Sequence, residues 1–252
     1  MSCKLYANIG VGHENDIDLL KNRIVNAAHC NADAVVLNKS TPFIVIPKEK
    51  KYVSINSKWG NLPYLEVANK SEVSKENAKE LTSYCKQIGI PIIWSVTDST
   101  SAEFIKEHCD AQTIKIHFDC VDPYELTRYC ANNFKHIIYP YTVIEDVLAI
   151  HGKRYREFTL YHTTKDFNPD ISELNLNNIN EFLRQHYTVG YEGKESGIFP
   201  TMAVAYKGVD YIEKYLGEQQ SDNPSILTPD QFYDLWNSLK LMTDADCYQE
   251  PI

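Results

Sequence analysis

Residues 113–141 read TIKIHFDCVDPYELTRYCANNFKHIIYPY, one full turn of the pattern that decides the fold. Thr113–His117 is a short β-branched run and Ile137–Tyr141 a second one. Between them Pro123–Ala131 is helical, with Pro123 early in the first turn, where its missing N–H is no loss. A strand, a helix and a strand in this order imply parallel strands joined by a crossover helix.

The same alternation extends in both directions. Toward the N-terminus, Leu5–Val11 precedes Asp16–Ala28, whose Ile17, Leu20, Ile24 and Ala28 recur at helical spacing. Ala34–Asn38 comes next. Ser74–Ile88 opens at Ser74 with a capping box and puts Ala78, Leu81 and Cys85 on one face, and Ile90–Val96 precedes Ser101–Cys109. Toward the C-terminus, Val143–Ile150 completes the fifth pair. Phe158–His162 then pairs with Leu176–Gln185, Tyr187–Tyr191 with Pro200–Tyr206, and Tyr211–Ile212 with Pro229–Leu241. Eight strand–helix pairs in 252 residues match a (β/α)₈ barrel, which takes about 250. No GxGxxG or GxxxxGKS stretch supports an open nucleotide-binding sheet instead. The expectation is α/β, a single TIM-type barrel domain over residues 1–252. Lys39–Val73 is a long irregular loop after strand two, at the face where such barrels place their sites.

Composition narrows the function classes. A net charge of −9, with 25 basic residues dispersed along the chain, argues against nucleic acid as partner. The one basic run, Lys48–Lys51, reads as solvated loop. No stretch of about 18 apolar residues offers a membrane span, and no signal peptide opens the chain. Seven cysteines without a CxxC pair (Cys3, Cys30, Cys85, Cys109, Cys120, Cys130 and Cys247) suit free thiols in a reducing cytoplasm better than disulfides or zinc.

Eight segments, in order, resemble the sialic acid (N-acetylneuraminate) synthases. IGVGHENDIDLLKNRIVNAA is similar to that family's IGxNHxGD segment and first helix, and NADAVVLN to GADAVKFQ. NKSEVSKENAKELTSYCKQIGI and TIKIHFDCVDPYELTRYCA follow, then LYHTTKDFNPDISELNLNNI, similar to LLHCTSxYP…NL. VGYEGKESG stands where the family has VGYSDHTxG, YIEKYLG where it has VIEKHFT, and SDNPSILTPDQF where it has GPDHKASLxPxEL. The resemblance covers about residues 5–241 and implies the same barrel. Members commonly carry a small antifreeze-like domain after it, which this chain, stopping at Ile252, is expected to lack.

The family reaction joins phosphoenolpyruvate to an acylated amino sugar such as N-acetylmannosamine. It implies Mn²⁺ or Mg²⁺ held by two histidines as Lewis acid, with lysines and hydroxyls holding the anion. Here the two histidine positions are Lys194 and Tyr215, so no metal ligands and no cofactor are expected. Val36 stands for the lysine of KFQ, Phe118 for the serine of KIAS, Glu192 for the serine of YSDHT and Ile226 for that of HKAS. Asn8 replaces a glutamate and Gly12 an asparagine. His13 and His162 match no family ligand.

Lys115, Glu213 and Asp222 persist. Structurally, Lys115 and Glu213 are expected to pair across the barrel interior. Functionally, Lys115, Lys194, Glu213 and His162 would bind a small sugar or anion, with Asp222 and Tyr191 as further contacts. A group of tyrosines near strand ends (Tyr139, Tyr141, Tyr161, Tyr191 and Tyr215) would stack on a sugar or simply fill space. Two readings follow. One is a non-catalytic or repurposed barrel of nonulosonic-acid or surface-polysaccharide biosynthesis, working as a homodimer or beside an active relative. The other is an active synthase or aldolase-type enzyme that condenses phosphoenolpyruvate or pyruvate with an acylated amino sugar. There Lys115 and Glu213 are catalytic, and the nearby cation Lys194 lowers the pKa of Lys115.

Overall fold

In the computed structural model, residues 3–151, 158–218 and 222–246 are described; Cys247 and the chain end at Ile252 lie outside them. Strands β1 (Lys4–Asn8), β2 (Ala34–Lys39), β5 (Ile92–Val96), β6 (Thr113–Ile116), β7 (His136–Pro140), β8 (Phe158–Thr163), β9 (Thr188–Gly193) and β10 (Tyr211–Leu216) pair in parallel. β10 pairs back onto β1, Lys4 with Tyr211 through Asn8 with Tyr215, and this closes an eight-stranded barrel among the described residues. A short β11 (Ile226–Leu227) adds to the upper end of β10.

The connecting helices are α1 (Ile17–His29), α4 (Lys75–Ile88), α5 (Ser99–His108), α6 (Pro123–Asn133), α7 (Ile144–His151), α8 (Asn177–Arg184), α9 (Phe199–Tyr206) and α10 (Pro229–Asp246). Their ends follow local chemistry. Asp16 caps α1 by accepting from Leu19 N–H at 3.0 Å, and Gly89 ends α4 at φ +84°, a left-handed turn that suits glycine. Ser74 accepts from Asn77 N–H at 3.1 Å, as expected, but the other half of the capping box is not made within α4. Asn77 instead donates to Asn15 Oδ1 at 2.9 Å, and that same oxygen accepts from Ser74 N–H at 3.1 Å. The helix start is thereby stitched to the loop before α1.

Residues 39–73, expected to be irregular, are largely ordered into short elements: α2 (Pro42–Val45), an antiparallel hairpin of β3 (Ser54–Ser57) and β4 (Gly60–Pro63), and α3 (Tyr64–Ser71). Pieces this short carry too few periods to be read from a pattern. Lys51, expected in solvent, is 7% exposed with its ammonium 3.7 Å from the Phe43 ring centroid.

The main core lies between the sheet and the helices, with Leu20, Ile24, Leu81, Trp94, Ile105, Leu126, Leu160 and Ile212 buried together. A second, smaller cluster fills the lower barrel interior: Ala34, Val36, Ile93, Ile138, Tyr161 and Tyr211. Tyr6 and Tyr211 stack there at 4.7 Å. Side chains alternate between these two cores along each strand, so the parity of a residue decides whether it can reach the barrel axis. The six described cysteines are free thiols. No helix among the described residues is long and apolar enough to cross a membrane.

Candidate functional site at the barrel axis

Above the apolar layer the barrel interior is charged. Lys115, on β6, is 1% exposed and donates to Glu192 Oε2 on β9 and to Glu213 Oε2 on β10, each at 2.8 Å. Glu192 and Glu213 are register partners, so β9 and β10 present two carboxylates side by side. Asn8 on β1 donates to Glu213 Oε1 at 2.8 Å, and the Tyr215 hydroxyl donates to Glu192 Oε1. Lys194 sits above, 3.6 Å from Glu192 Oε1. Two ammonium groups and two carboxylates thus face one another where water is excluded.

The electrostatics follow from this packing. Burial by itself would lower the Lys115 pKa, but Glu192 and Glu213 outweigh it and hold Lys115 above the ordinary lysine value. Burial likewise opposes the Glu192 charge, yet Lys115 and Lys194 keep its carboxyl below the usual range. Glu213 is raised, by burial and by the like charge of Glu192, against the pull of Lys115. Lys194 is lowered, chiefly by burial and then by Lys115. The lysine with the depressed pKa is therefore Lys194, and Lys115 is held as an ammonium. A Schiff-base nucleophile must be a neutral amine. Borohydride reduction in the presence of pyruvate is expected to leave the mass of the Lys115 peptide unchanged; a trapped adduct on Lys115 would overturn this charge assignment.

Aromatic rings and backbone cover the mouth. The Lys194 ammonium is 3.5 Å from the Phe118 ring centroid and 5.8 Å from that of Phe167. It also donates to Thr164 O at 3.0 Å, in the loop after β8. Phe167 packs edge-on against Tyr215, centroids 4.7 Å apart. On the opposite wall, the register partners Asn38 and Ser95 keep Oδ1 and Oγ buried without hydrogen-bond partners among the described residues.

Of the residues singled out from the sequence, Lys115, Glu213 and Lys194 converge at this axis. His162 and Tyr191 have the opposite parity and point outward into the helix layer. His162 Nε2 meets Leu174 O at 2.7 Å, and its ring stacks on Tyr191 at 6.2 Å. Tyr191 donates to Glu195 Oε2 at 2.8 Å. Asp222 is exposed beyond β10. The tyrosines form no single cluster: Tyr161 and Tyr215 are inside, Tyr139 and Tyr191 outside, and Tyr141 opens a one-turn helix after β7.

Two features were not read from the sequence. Glu192, which the sequence shows only as a replacement for a family serine, is the centre of the network. The second is a buried pair outside the barrel. Lys214, 0% exposed, donates to Glu195 O at 2.9 Å and lies 3.3 Å from Glu195 Oε1, which also accepts from Thr201. Strand parity was the signal available for both: in YIEKYL, Glu213 faces in and Lys214 out.

The metal implied by the resemblance does not fit these residues. At the two positions where imidazoles would stand, Lys194 offers a cation and Tyr215 a phenol whose pKa is raised well above its ordinary value by burial and by Glu192. The nearby carboxylates are already engaged by Lys115. Among the described residues no three His, Cys, Asp or Glu side chains converge as a metal-binding group.

Comparisons with known proteins agree on ancestry and fold. A family model described as the NeuB family matches residues 23–249. The N-acetylneuraminate-9-phosphate synthase of Mus musculus is 27% identical, over 96% of this chain and 71% of its own length. The N,N'-diacetyllegionaminic acid synthase of Legionella pneumophila is 23% identical, over 95% and 72%. Among solved structures, the N-acetylneuraminic acid synthetase of Leptospira borgpetersenii superimposes with a TM-score of 0.85 at 17% identity, covering 100% of this chain and 88% of that one. A spore coat polysaccharide biosynthesis protein of Bacillus subtilis gives 0.77 at 16% identity, covering 100% and 71%.

Proposed function

We propose, from the premise that this chain belongs to the NeuB family, that it is a sialic-acid-synthase-like barrel of nonulosonic-acid or surface-polysaccharide biosynthesis that does not catalyse the condensation with phosphoenolpyruvate. One observation carries this reading: Lys115, the residue best placed to hold an anion, already has two carboxylates at 2.8 Å. A phosphate or carboxylate entering the axis must displace them. Each charge-assisted hydrogen bond given up costs about 1.5–3 kcal/mol, and the freed carboxylates would then repel the incoming anion. At the mouth, Phe118 and Phe167 lie over Lys194 where a sugar would have to pass.

The reading is tested by incubating the purified protein with N-acetylmannosamine, its 6-phosphate, phosphoenolpyruvate and Mn²⁺, and measuring released phosphate. The expected result is a rate equal to the protein-free control. Phosphate release above that control and abolished by EDTA would overturn it.

A further inference from the structure

We propose that the outward face of α9 is a self-association surface, where two copies of this chain pair about a two-fold axis. Helix α9 reads FPTMAVAY and carries no charged residue. Each of the other seven barrel helices exposes at least one charged side chain, from Asp18 on α1 to Asp234 on α10. A helix that is apolar all round belongs in an interior. Yet α9 lies in the outer layer of the barrel, with Thr201 and Val204 as its buried residues.

The solvent side of α9 is a stripe. Phe199, Ala203 and Tyr206 are all exposed, and their spacing of four and three residues puts them on one helix face. Phe199 is 86% and Tyr206 80% exposed, more than any other large hydrophobic side chain among the described residues. The charges flanking the helix are engaged elsewhere. Glu195 is buried against Lys214, and Lys207 donates to Asn180 Oδ1 on α8 at 2.9 Å. Asp210 Oδ2 accepts from Val189 N–H at 2.8 Å, at the start of β9.

Charge, shape and area point to a second copy as the occupant. At a net charge of −9 each, two copies repel across most of their surfaces, and an uncharged face is where they can meet. A strongly acidic or basic partner would find no complementary charge on this stripe. A two-fold axis through Ala203 runs the stripe antiparallel to its own image, which sets Phe199 beside the second copy's Tyr206 at both ends. The two rings of one copy stand about 10 Å apart along the helix. The small Ala203 between them lets the two backbones approach. Four aromatic side chains buried at about 150–250 Å² each remove roughly 600–1,000 Å² from water. With Ala203 and the half-buried Met202 added, this reaches the total of about 1,000 Å² that a specific interface needs.

This inference goes beyond the proposed function and does not depend on it, because association is read without substrate or metal. Sedimentation velocity of the full chain should show a monomer–dimer equilibrium between about 1 and 100 µM, since an interface at the small end of the range binds weakly. Raising the salt from about 50 to 500 mM should not dissociate the dimer, because no ion pair holds it. Ala203→Glu and Ala203→Lys each set like charges face to face at the axis. Each should weaken association about tenfold or more, while the circular dichroism of the dilute monomer stays unchanged, as both residues suit an exposed helix position. Mixed in equal amounts, the two variants should dimerise again, since the introduced carboxylate then faces the introduced ammonium. A parent chain that stays monomeric throughout, a dimer indifferent to both substitutions, or a mixture that does not recover would each overturn the proposal.

Discussion

Glu192→Leu is expected to destabilise the protein by about 3–5 kcal/mol, the cost of breaking a buried ion pair by removing one partner. Glu192 meets Lys115 at 2.8 Å, Lys194 at 3.6 Å and the Tyr215 hydroxyl, with 1% of its side chain exposed. After the substitution Glu213 alone faces two buried ammonium groups, and the Tyr215 hydroxyl loses its acceptor. Urea unfolding followed by circular dichroism should show the midpoint fall. Adding Lys194→Met removes one stranded cation and should recover a substantial part of the loss, since an apolar replacement of a buried pair is often neutral or stabilising. If Glu192→Leu unfolded at the same urea concentration as the parent, the network would not be holding the barrel axis.

Gly190→Ala is expected to cost about 3 kcal/mol, at the upper end of the overpacking range. A Cβ at Gly190 would fall 1.9 Å from Tyr211 Cε1, inside the ring's van der Waals surface. Tyr211 cannot swing away cheaply: it is 3% exposed, stacks on Tyr6 and is the strand partner of Gly190. Glycine is needed here for space, not for backbone conformation. The check is a double-mutant cycle. Tyr211→Leu makes room, so Gly190→Ala should cost much less in that background; an equal cost in both would refute the clash.

Both predictions rest on side chains that a sequence pattern reads poorly. Strand β10 was expected only over Tyr211–Ile212 because the next two residues, Glu213 and Lys214, are charged; the strand continues to Leu216. Each charge is buried with a partner: Glu213 inward to Lys115, Lys214 outward to Glu195. A charged residue in a strand looks like an exposed end when its partner is far along the chain. The outward placement of His162 and Tyr191, by contrast, could have been read from strand parity, although the motif comparison put both in the site. Tyr191 lies between Gly190 and Glu192 and cannot share their face, and His162 has the parity opposite to Tyr161.

The sequence by itself determined the barrel, through the alternation of short apolar runs and amphipathic stretches, because burial on two layers imposes those periods locally. It also determined the family, through ordered segments, and identified Lys194 and Tyr215 as the residues at the family's histidine positions. Only the tertiary structure decided what those replacements do. Lys115 reaches Glu192 and Glu213 across separations of 77 and 98 residues, and Asn8 joins from 205 residues away. No local period encodes such a meeting. Closing β10 onto β1 makes it, and removal from water then requires the four charges to neutralise one another.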